Sequence, residues 1–121
     1  MFYTYEQNKR GVSIVNEHIK HYVIIEAASA KEADEKAENV GIYFDGVDKE
    51  IDYPWRGDRW SRAEDPSFGS KGTKKPEIYG RSIIRFFSER INNNDLSEDV
   101  IIYHKNGKVE SFSGKDLYGL Y

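Results

Sequence analysis

The sequence predicts an α+β fold, an antiparallel sheet with two helices followed by a C-terminal β-hairpin or small sheet. Short runs rich in aromatic and β-branched residues alternate with turn residues, as strands require. Two segments carry apolar residues at three- and four-residue spacing, which is the period of an amphipathic helix. A length of 121 residues fits a single domain, which we divide into the sheet with two helices over 1–95 and a hairpin extension over 96–121.

The N-terminal quarter is expected to supply strands. Phe2–Gln7 is rich in aromatic residues and predicts the first strand. After a turn at 8–11, Val12–Val15 can return antiparallel to it. His21–Ala27 is almost continuously apolar at its centre, which is typical of a central strand covered on both faces.

A first helix is predicted from Ser29 to about Val40. Ser29 and Glu32 form a capping box, in which each side chain accepts a hydrogen bond from the backbone N–H of the other residue. Small apolar residues share one face, so the helix can lie close to a sheet; they are Ala30, Ala33, Ala37 and Val40. Gly41 stands where a left-handed C-terminal cap is expected, and Ile42–Phe44 predicts a short strand after it.

The stretch from Asp45 to Gly80 lacks a regular period. Glycine and proline interrupt it repeatedly, and an irregular connection of this length is usually functional or disordered. Within it, we expect Glu50–Arg62 to be packed, because its tyrosine and two tryptophans are costly to expose to water.

The C-terminal third predicts a second helix and a hairpin. Ser82 can cap a helix over Ile83–Ile91, whose apolar face comprises Ile83, Ile84, Phe87 and Ile91. Val100–His104 and Val109–Phe112 flank Asn106-Gly107, the preferred dipeptide of a two-residue type I′ hairpin turn.

Composition excludes several classes of function. A net charge of −3 argues against a protein that binds duplex nucleic acid. The apolar runs are too short to span a membrane, and the N-terminus does not resemble a secretory signal, so we expect a cytoplasmic protein. The absence of cysteine excludes disulfides and thiolate ligands, and we expect neither a metal nor a cofactor. Aromatic residues make up 14% of the chain, more than one small core needs, so some rings are expected to serve a surface or a ligand.

The strongest candidate site lies between Tyr53 and Arg62. The candidate ligand-binding residues there are Trp55, Arg56, Asp58, Arg59 and Trp60. Guanidinium groups match phosphate oxygens, indoles stack on purines, and a carboxylate accepts from ribose hydroxyls or an exocyclic amine. The alternative left open is that Asp58 pairs with Arg56 or Arg59 and that the tryptophans fill a small core.

Further candidates flank this segment along the chain. Tyr5, Gln7 and Asn8 end the first strand, where amides can read a base edge or a ribose; the alternative is that Asn8 only forms the turn. Asp45 precedes Gly46, which is ordinary turn chemistry, but it lies at the entrance of the aromatic loop.

The second helix offers one more candidate set. Arg81 and Arg85 lie one turn apart, with Phe86 nearby, and could meet a phosphate across a subunit interface. The alternative is a solvated charged face. The sequence carries no phosphate-binding glycine loop, zinc-protease motif or nucleophile elbow, so we do not expect an enzyme.

Several stretches, in order along the chain, resemble a widespread family of small phage and prophage proteins. They cover most of residues 3–80 and are Tyr5-Glu6-Gln7-Asn8, Val23–Ala27 leading into the first helix, Gly41–Val47, Gly57-Asp58-Arg59-Trp60 and Pro76–Gly80. Many of those relatives carry a cysteine cluster just before the Gly-Asp-Arg-Trp motif. This chain has Asp52-Tyr53-Pro54-Trp55-Arg56 there instead, so no metal role is carried over.

Within that group the chain resembles the Thoeris anti-defence family, sponges that sequester the cyclic ADP-ribose-type signal made by bacterial TIR enzymes. The resemblance implies a homodimer or higher homo-oligomer in the cytoplasm of an infected or lysogenic bacterial host. It also implies that aromatic and arginine side chains hold a small cyclic nucleotide signal between subunits without cleaving it. The implied signal is a cyclic ADP-ribose isomer, and cyclic oligonucleotides are a further class of ligand. Two alternatives stay open: an enzyme that cleaves a cyclic nucleotide, and a protein-binding inhibitor of a host defence factor.

Overall fold

The structure is a computed structural model that describes residues 1–8, 12–92 and 97–114. Its elements are β1 (Phe2–Glu6), β2 (Tyr22–Glu26), α1 (Ala30–Asn39), β3 (Glu77–Ile78), β4 (Arg81–Ser82), α2 (Ile83–Asn92), β5 (Asp99–Tyr103) and β6 (Val109–Ser113). A four-stranded sheet has the order β1-β2-β5-β6, and β3 and β4 form a second, two-stranded sheet. The predicted α+β class is therefore confirmed. Neither helix in the described part of the chain has the length and apolar character needed to cross a membrane.

The main sheet is mixed, where an antiparallel sheet was expected. β2 pairs antiparallel with β1, with Phe2 opposite Glu26, and parallel with β5, with Tyr22 opposite Val100. β5 and β6 form the predicted hairpin. This hairpin belongs to the main sheet and supplies its second central strand, so its described residues are not the appendage that we expected.

The two helices cover opposite faces of the main sheet. The face toward α1 is formed by Tyr3, Tyr5, Val23, Ile25 and Ile101. The face toward α2 is formed by Phe2, Tyr22, Ile24, Val100 and Ile102. Alternate residues of β2 thus enter two cores, which explains its uninterrupted apolar sequence and confirms it as a strand covered on both sides.

Two predicted strands are absent from the described residues. Residues 12–15 do not pair with β1. The backbone groups of Ile14 instead bond to the Gln7 side chain, whose amide nitrogen donates to Ile14 O at 2.6 Å and whose oxygen accepts from Ile14 N at 2.9 Å. Ile42–Phe44 is irregular, although Ile42 and Phe44 are buried against α1. Burial rather than strand pairing explains the apolar character of that segment.

The first helix is confirmed, with one difference at its start. Ser29 Oγ accepts from Glu32 N at 3.2 Å, as a capping box requires. The Glu32 carboxylate, however, accepts from the backbone of Ala28 at 3.2 Å and not from that of Ser29. At the other end, Gly41 has the φ of +112° that favours glycine after a helix.

The second helix begins at the expected place but turns a different face to the core. Ser82 Oγ accepts from Arg85 N at 3.3 Å, as expected of a cap. The buried residues are Ile83, Phe86 and Phe87, whereas Ile84 is exposed. The predicted apolar face is therefore correct for Ile83 and Phe87 and wrong for Ile84, while the side chain of Ile91 lies outside the described part of the chain. The buried residues follow one another at helical intervals of three and four residues, as predicted. The buried face is rotated about the helix axis from the predicted one, so that Phe86 rather than Ile84 faces the core.

The C-terminal hairpin closes through a longer turn than predicted. His104 N donates to Lys108 O at 2.8 Å, and Gly107 N donates to His104 O at 3.1 Å. Gly107 has φ +90°. Three residues thus separate His104 from Lys108, with the glycine in the left-handed position, and the expected two-residue type I′ turn is wrong.

We expect close packing of α1 to make Ala37 intolerant of a larger side chain. Ala37 is fully buried, and Ala37→Leu should lower the free energy of unfolding by about 1–3 kcal/mol through overpacking. Glu35→Leu, at an exposed position of the same helix, is the matched control. Urea denaturation measures both, and an Ala37→Leu protein as stable as the control would contradict this packing.

Candidate functional site

A groove of about 800 Å³ is lined by the end of β1, the loop over 56–70 and the turn at Ile78–Tyr79. A smaller pocket of about 90 Å³ shares part of its wall, including Asn8 and Arg56. The groove lies where the aromatic and arginine-rich segment meets the first strand.

Half of the sequence-predicted ligand residues line this groove. Those on its wall are Tyr5, Gln7, Asn8, Arg56, Asp58 and Arg59. Those outside its wall are Asp45, Trp55, Trp60, Arg81, Arg85 and Phe86. The hydrogen bonds that each side chain already makes within the protein decide which of them can serve a ligand.

Gln7 is a structural residue and does not present its amide to the groove. The side chain is buried. Its nitrogen donates to Ile14 O at 2.6 Å and to Lys20 O at 3.0 Å. Its oxygen accepts from Ile14 N at 2.9 Å and from Arg59 Nη1 at 3.0 Å. The amide thus has a full set of partners within the chain, and a contact from it to a base or ribose stays a prediction that these bonds disfavour.

Arg59 is likewise engaged inside the protein. Its Nε donates to the Tyr43 hydroxyl at 3.0 Å, and its Nη1 donates to Val12 O at 2.7 Å as well as to Gln7. Tyr43 in turn donates to Asp52 Oδ1 at 2.7 Å, while Asp52 Oδ2 accepts from Arg59 N at 2.8 Å. Burial and the Asp52 carboxylate raise the pKa of Tyr43. We call Gln7, Tyr43, Asp52 and Arg59 the brace, because they fasten the irregular loop to the end of β1.

Tyr5 holds a second connection between the loop and the helical layer. Its hydroxyl donates to Asp34 Oδ1 at 2.7 Å, and the same oxygen accepts from Ala63 N at 2.7 Å. Burial, followed by the hydrogen bond to Asp34, raises the pKa of Tyr5. Asp34 is a buried acid on α1 that sequence reasoning missed, although its position beside Ala33 on the small-residue face was a signal. Tyr5 thus has a structural role, and its side chain also lines the groove, so that ligand binding by Tyr5 stays a prediction.

Asp45 and Trp60 also support the loop. Both guanidinium nitrogens of Arg62 donate to the Asp45 carboxylate, at 2.9 and 2.7 Å, and this pairing lowers the pKa of Asp45. The Arg62 guanidinium lies 4.9 Å from the centre of the Phe44 ring. Trp60 is buried in the core under α1. The alternative that tryptophan fills a core is thus correct for Trp60.

The candidate residues of β4 and α2 do not line the groove, although Arg81 and Phe86 contact Tyr79 on its wall. Arg81 Nε lies 2.7 Å from a Glu89 oxygen, and Arg85 Nε lies 3.6 Å from the other oxygen of that carboxylate. Phe86 is buried, with the guanidinium of Arg90 4.7 Å from its ring centre. Phe86 is therefore a core residue rather than a surface contact.

Three exposed side chains remain at the edge of the groove. Tyr53 and Trp55 stack at 4.7 Å with their planes 14° apart, and Trp55 is 69% exposed. The Arg56 guanidinium lies 5.5 Å from the Tyr53 ring centre. It pairs with no carboxylate in the part of the chain that the structure describes. The prediction that Tyr53 and Trp55 are packed away from water is wrong, since they pack mainly on each other.

Asn8 and Asp58 fix the backbone that carries Arg56. Asn8 Nδ2 donates to Arg56 O at 2.8 Å and to Asp58 O at 3.3 Å. Asp58 Oδ1 accepts from Val47 N at 2.9 Å. Among the described residues Asp58 forms no ion pair with Arg56 or Arg59, so that alternative is wrong. Both side chains hold the loop in shape and leave the Arg56 side chain in solvent.

The groove wall also contains a tyrosine pair that sequence reasoning missed. Tyr22 is 1% exposed and meets Tyr79 edge to face, with ring centres 6.3 Å apart. The Tyr79 hydroxyl donates to the Glu6 carboxylate. Burial, followed by Glu6, raises the pKa of Tyr79 to about 12. A tyrosine in an apolar strand reads as an ordinary core residue, so no local signal distinguished Tyr22.

Metal-ligating side chains do not gather in this region. Over residues 1–8, 12–92 and 97–114, no group of three or more histidine, aspartate or glutamate side chains is placed to hold a metal ion.

The brace distinguishes two arginines that stand three residues apart. Arg59→Ala removes several charge-assisted hydrogen bonds and should lower the free energy of unfolding by about 2–3 kcal/mol. Arg56→Ala, the matched control, should change it by less than about 0.5 kcal/mol, because that side chain is exposed. Chemical denaturation measures both, and equal effects would contradict the brace.

Comparisons with known proteins identify a family. No curated protein and no solved structure shows significant similarity to the chain. A family model described as "Domain of unknown function (DUF7296)" matches residues 1–120. Because this match spans almost the whole chain, the protein belongs to the DUF7296 family.

Proposed function

We propose that the protein is a phage anti-defence protein that binds a small cyclic nucleotide signal of the cyclic ADP-ribose type in the groove and sequesters it without cleaving it. The observation that carries the proposal is the exposed Arg56, without a carboxylate partner in the described chain, beside the stacked pair of Tyr53 and Trp55. The sequence resemblance to the Thoeris anti-defence family supplies the class of ligand.

Arg56 offers a positive charge that nothing described in the protein neutralises. A guanidinium presents a planar fork of donors that matches two phosphate oxygens, and such charge-assisted bonds are among the stronger ones. Asn8 holds the backbone of Arg56 at 2.8 Å, so the side chain starts from a fixed position. Arg56 therefore suits the diphosphate of a cyclic ADP-ribose isomer.

The stacked rings supply a flat apolar surface next to that charge. Tyr53 lines the small pocket, and Trp55 covers one face of Tyr53 in the free protein. Stacking of a base on an aromatic side chain contributes about 1–3 kcal/mol in nucleic-acid binding proteins. An adenine can therefore replace the contact that these rings now make with each other or with water.

The size and charge of the groove favour a small ligand over a polymer. Its volume of about 800 Å³ lies within the range of small-molecule sites. Its wall also carries three acidic residues, Glu6, Asp58 and Asp65, which oppose a long polyanion. A compact molecule with one diphosphate fits these conditions better than duplex nucleic acid or a long oligonucleotide.

The proposed assembly is a homodimer or higher homo-oligomer. Two large apolar side chains are exposed in this region: Phe68, which lines the groove, and Trp55, which stacks on Tyr53. A second copy placed over them would bury this apolar surface and exclude water from the charged contacts, which strengthens them.

We expect the protein to release intact ligand after denaturation. The purified protein is incubated with a cyclic ADP-ribose isomer, separated from free ligand and heated, and the supernatant is analysed by mass spectrometry. Recovery of unchanged ligand supports sequestration. Conversion of excess ligand to a product would favour the enzyme alternative. No binding together with a stable complex with a host protein would favour the inhibitor alternative.

Arg56→Ala should weaken binding of the same ligand about ten- to a hundredfold, as expected for loss of a charge-assisted contact. Lys31→Ala is the matched control, because Lys31 is an exposed cation of α1 outside the groove. Isothermal titration calorimetry measures both. Equal affinities of the two variants would exclude Arg56 as a phosphate contact.

The two tryptophans should report binding differently. Ligand stacking near Tyr53 should quench the fluorescence of the exposed Trp55, whereas Trp60 is buried under α1. Trp55→Phe should abolish the response and keep an aromatic ring at the site. A ligand-dependent signal that survives in Trp55→Phe would contradict stacking at this position.

A further inference from the structure

The Tyr22 hydroxyl is a buried polar group that lacks a hydrogen bond. Tyr22 is 1% exposed, and its oxygen has no partner of acceptable geometry. The residue also lines the groove. The Glu98 carboxylate lies near enough to raise the pKa of this hydroxyl but forms no hydrogen bond of acceptable geometry with it. Buried hydroxyls are normally hydrogen-bonded, so this one keeps hydrogen-bonding capacity for a ligand in the groove.

Tyr79, which packs against Tyr22, is held in an unfavourable backbone conformation. Tyr79 and Gly80 form the two-residue turn between β3 and β4, with φ values of 53° and 76°. Positive φ at both positions is the pattern of a type I′ turn, which favours asparagine, aspartate or glycine at the first position. A tyrosine there is strained, and strain of this kind concentrates at functional sites.

The strained turn holds the Tyr79 ring against the Tyr22 ring. The rings meet edge to face at 6.3 Å, and Tyr79 is more than half exposed. Its hydroxyl donates to Glu6, which also lines the groove. Because Tyr22, Tyr79 and Glu6 all line the groove, one ligand can contact all three.

The surroundings of these hydroxyls are acidic. Burial raises the pKa of Tyr22, and the nearby Glu98 and Glu6 carboxylates raise it further. Both phenols thus stay protonated at neutral pH. The negative field of the carboxylates repels a phosphate and attracts a group that donates hydrogen bonds.

We propose that Tyr22, Tyr79 and Glu6 form a second subsite of the groove, which binds hydrogen-bond-donating groups of the ligand such as ribose hydroxyls or an exocyclic amine. Arg56, on the same groove wall, takes the phosphates. This inference rests on the proposed function, since it assigns two ends of one ligand to two ends of one groove. The site thereby selects a ligand that is anionic at one end and donor-rich at the other.

Calorimetric titration with cyclic ADP-ribose and with inorganic pyrophosphate tests the subsite. Tyr22→Phe should weaken cyclic ADP-ribose binding about tenfold, as expected for one hydrogen bond, and should leave pyrophosphate binding unchanged. The melting temperature of the free Tyr22→Phe protein should stay equal or rise, because an unsatisfied hydroxyl is removed. Tyr103→Phe is the matched control: its hydroxyl donates to His18 O at 2.6 Å, and Tyr103 does not line the groove.

Each outcome bears on the proposal. Wild-type affinity of Tyr22→Phe for cyclic ADP-ribose would overturn the subsite and leave the proposed function standing. Equal weakening of both probes would also overturn it, since the tyrosine would then act through the phosphate contact. Failure of the wild-type protein to bind cyclic ADP-ribose would overturn both proposals together.

Discussion

The Arg59 guanidinium is the contact on which the irregular half of the molecule depends. It donates to Gln7, Tyr43 and the backbone of Val12, so one side chain joins the end of β1, the segment after α1 and the loop before β2. Asp52 completes the brace by accepting from Tyr43 and from Arg59 N. A long loop without regular structure gains a defined shape in this way, because its polar groups are satisfied by particular side chains. The position of Arg56 follows from that shape.

The proposed site consists of side chains that take no part in the hydrogen bonds of the brace. Arg56 and the rings of Tyr53 and Trp55 stand at one part of the groove, and a buried phenol stands at another. Neither part resembles a hydrophobic pocket that closes on an apolar molecule. The available guanidinium of Arg56 and the acceptors at Tyr22, Tyr79 and Glu6 are instead suited to a molecule that carries both phosphates and hydrogen-bond donors.

Local sequence patterns predicted the elements better than they predicted the site. Helix α1 and strand β2 were foreseen because capping residues and a continuous apolar run act over a few residues. The parallel pairing of β2 with β5 was not predicted, because the residues of a strand do not show which distant strand it pairs with. The phase of α2 failed for the same reason: whether Phe86 or Ile84 faces the core depends on the sheet beneath it. Residue type alone gave no reason to separate Arg56 from Arg59 as candidates, since both are arginines of the same loop. The hydrogen bonds of the folded chain separate them: they engage the Arg59 guanidinium and leave that of Arg56 available.

The position of β5 at the centre of the main sheet has a consequence for how the chain folds. Tyr22 pairs with Val100, and this pairing spans most of the sequence. Bringing such distant residues together costs loop-closure entropy before their contacts stabilise the folded chain, so topologies of this kind fold slowly. Until β5 is made, one edge of β2 lacks the partner that it has in the folded sheet. Such an open apolar edge invites pairing with other chains. During synthesis on the ribosome, both cores must therefore wait for β5, which supplies Ile101 to one and Val100 and Ile102 to the other.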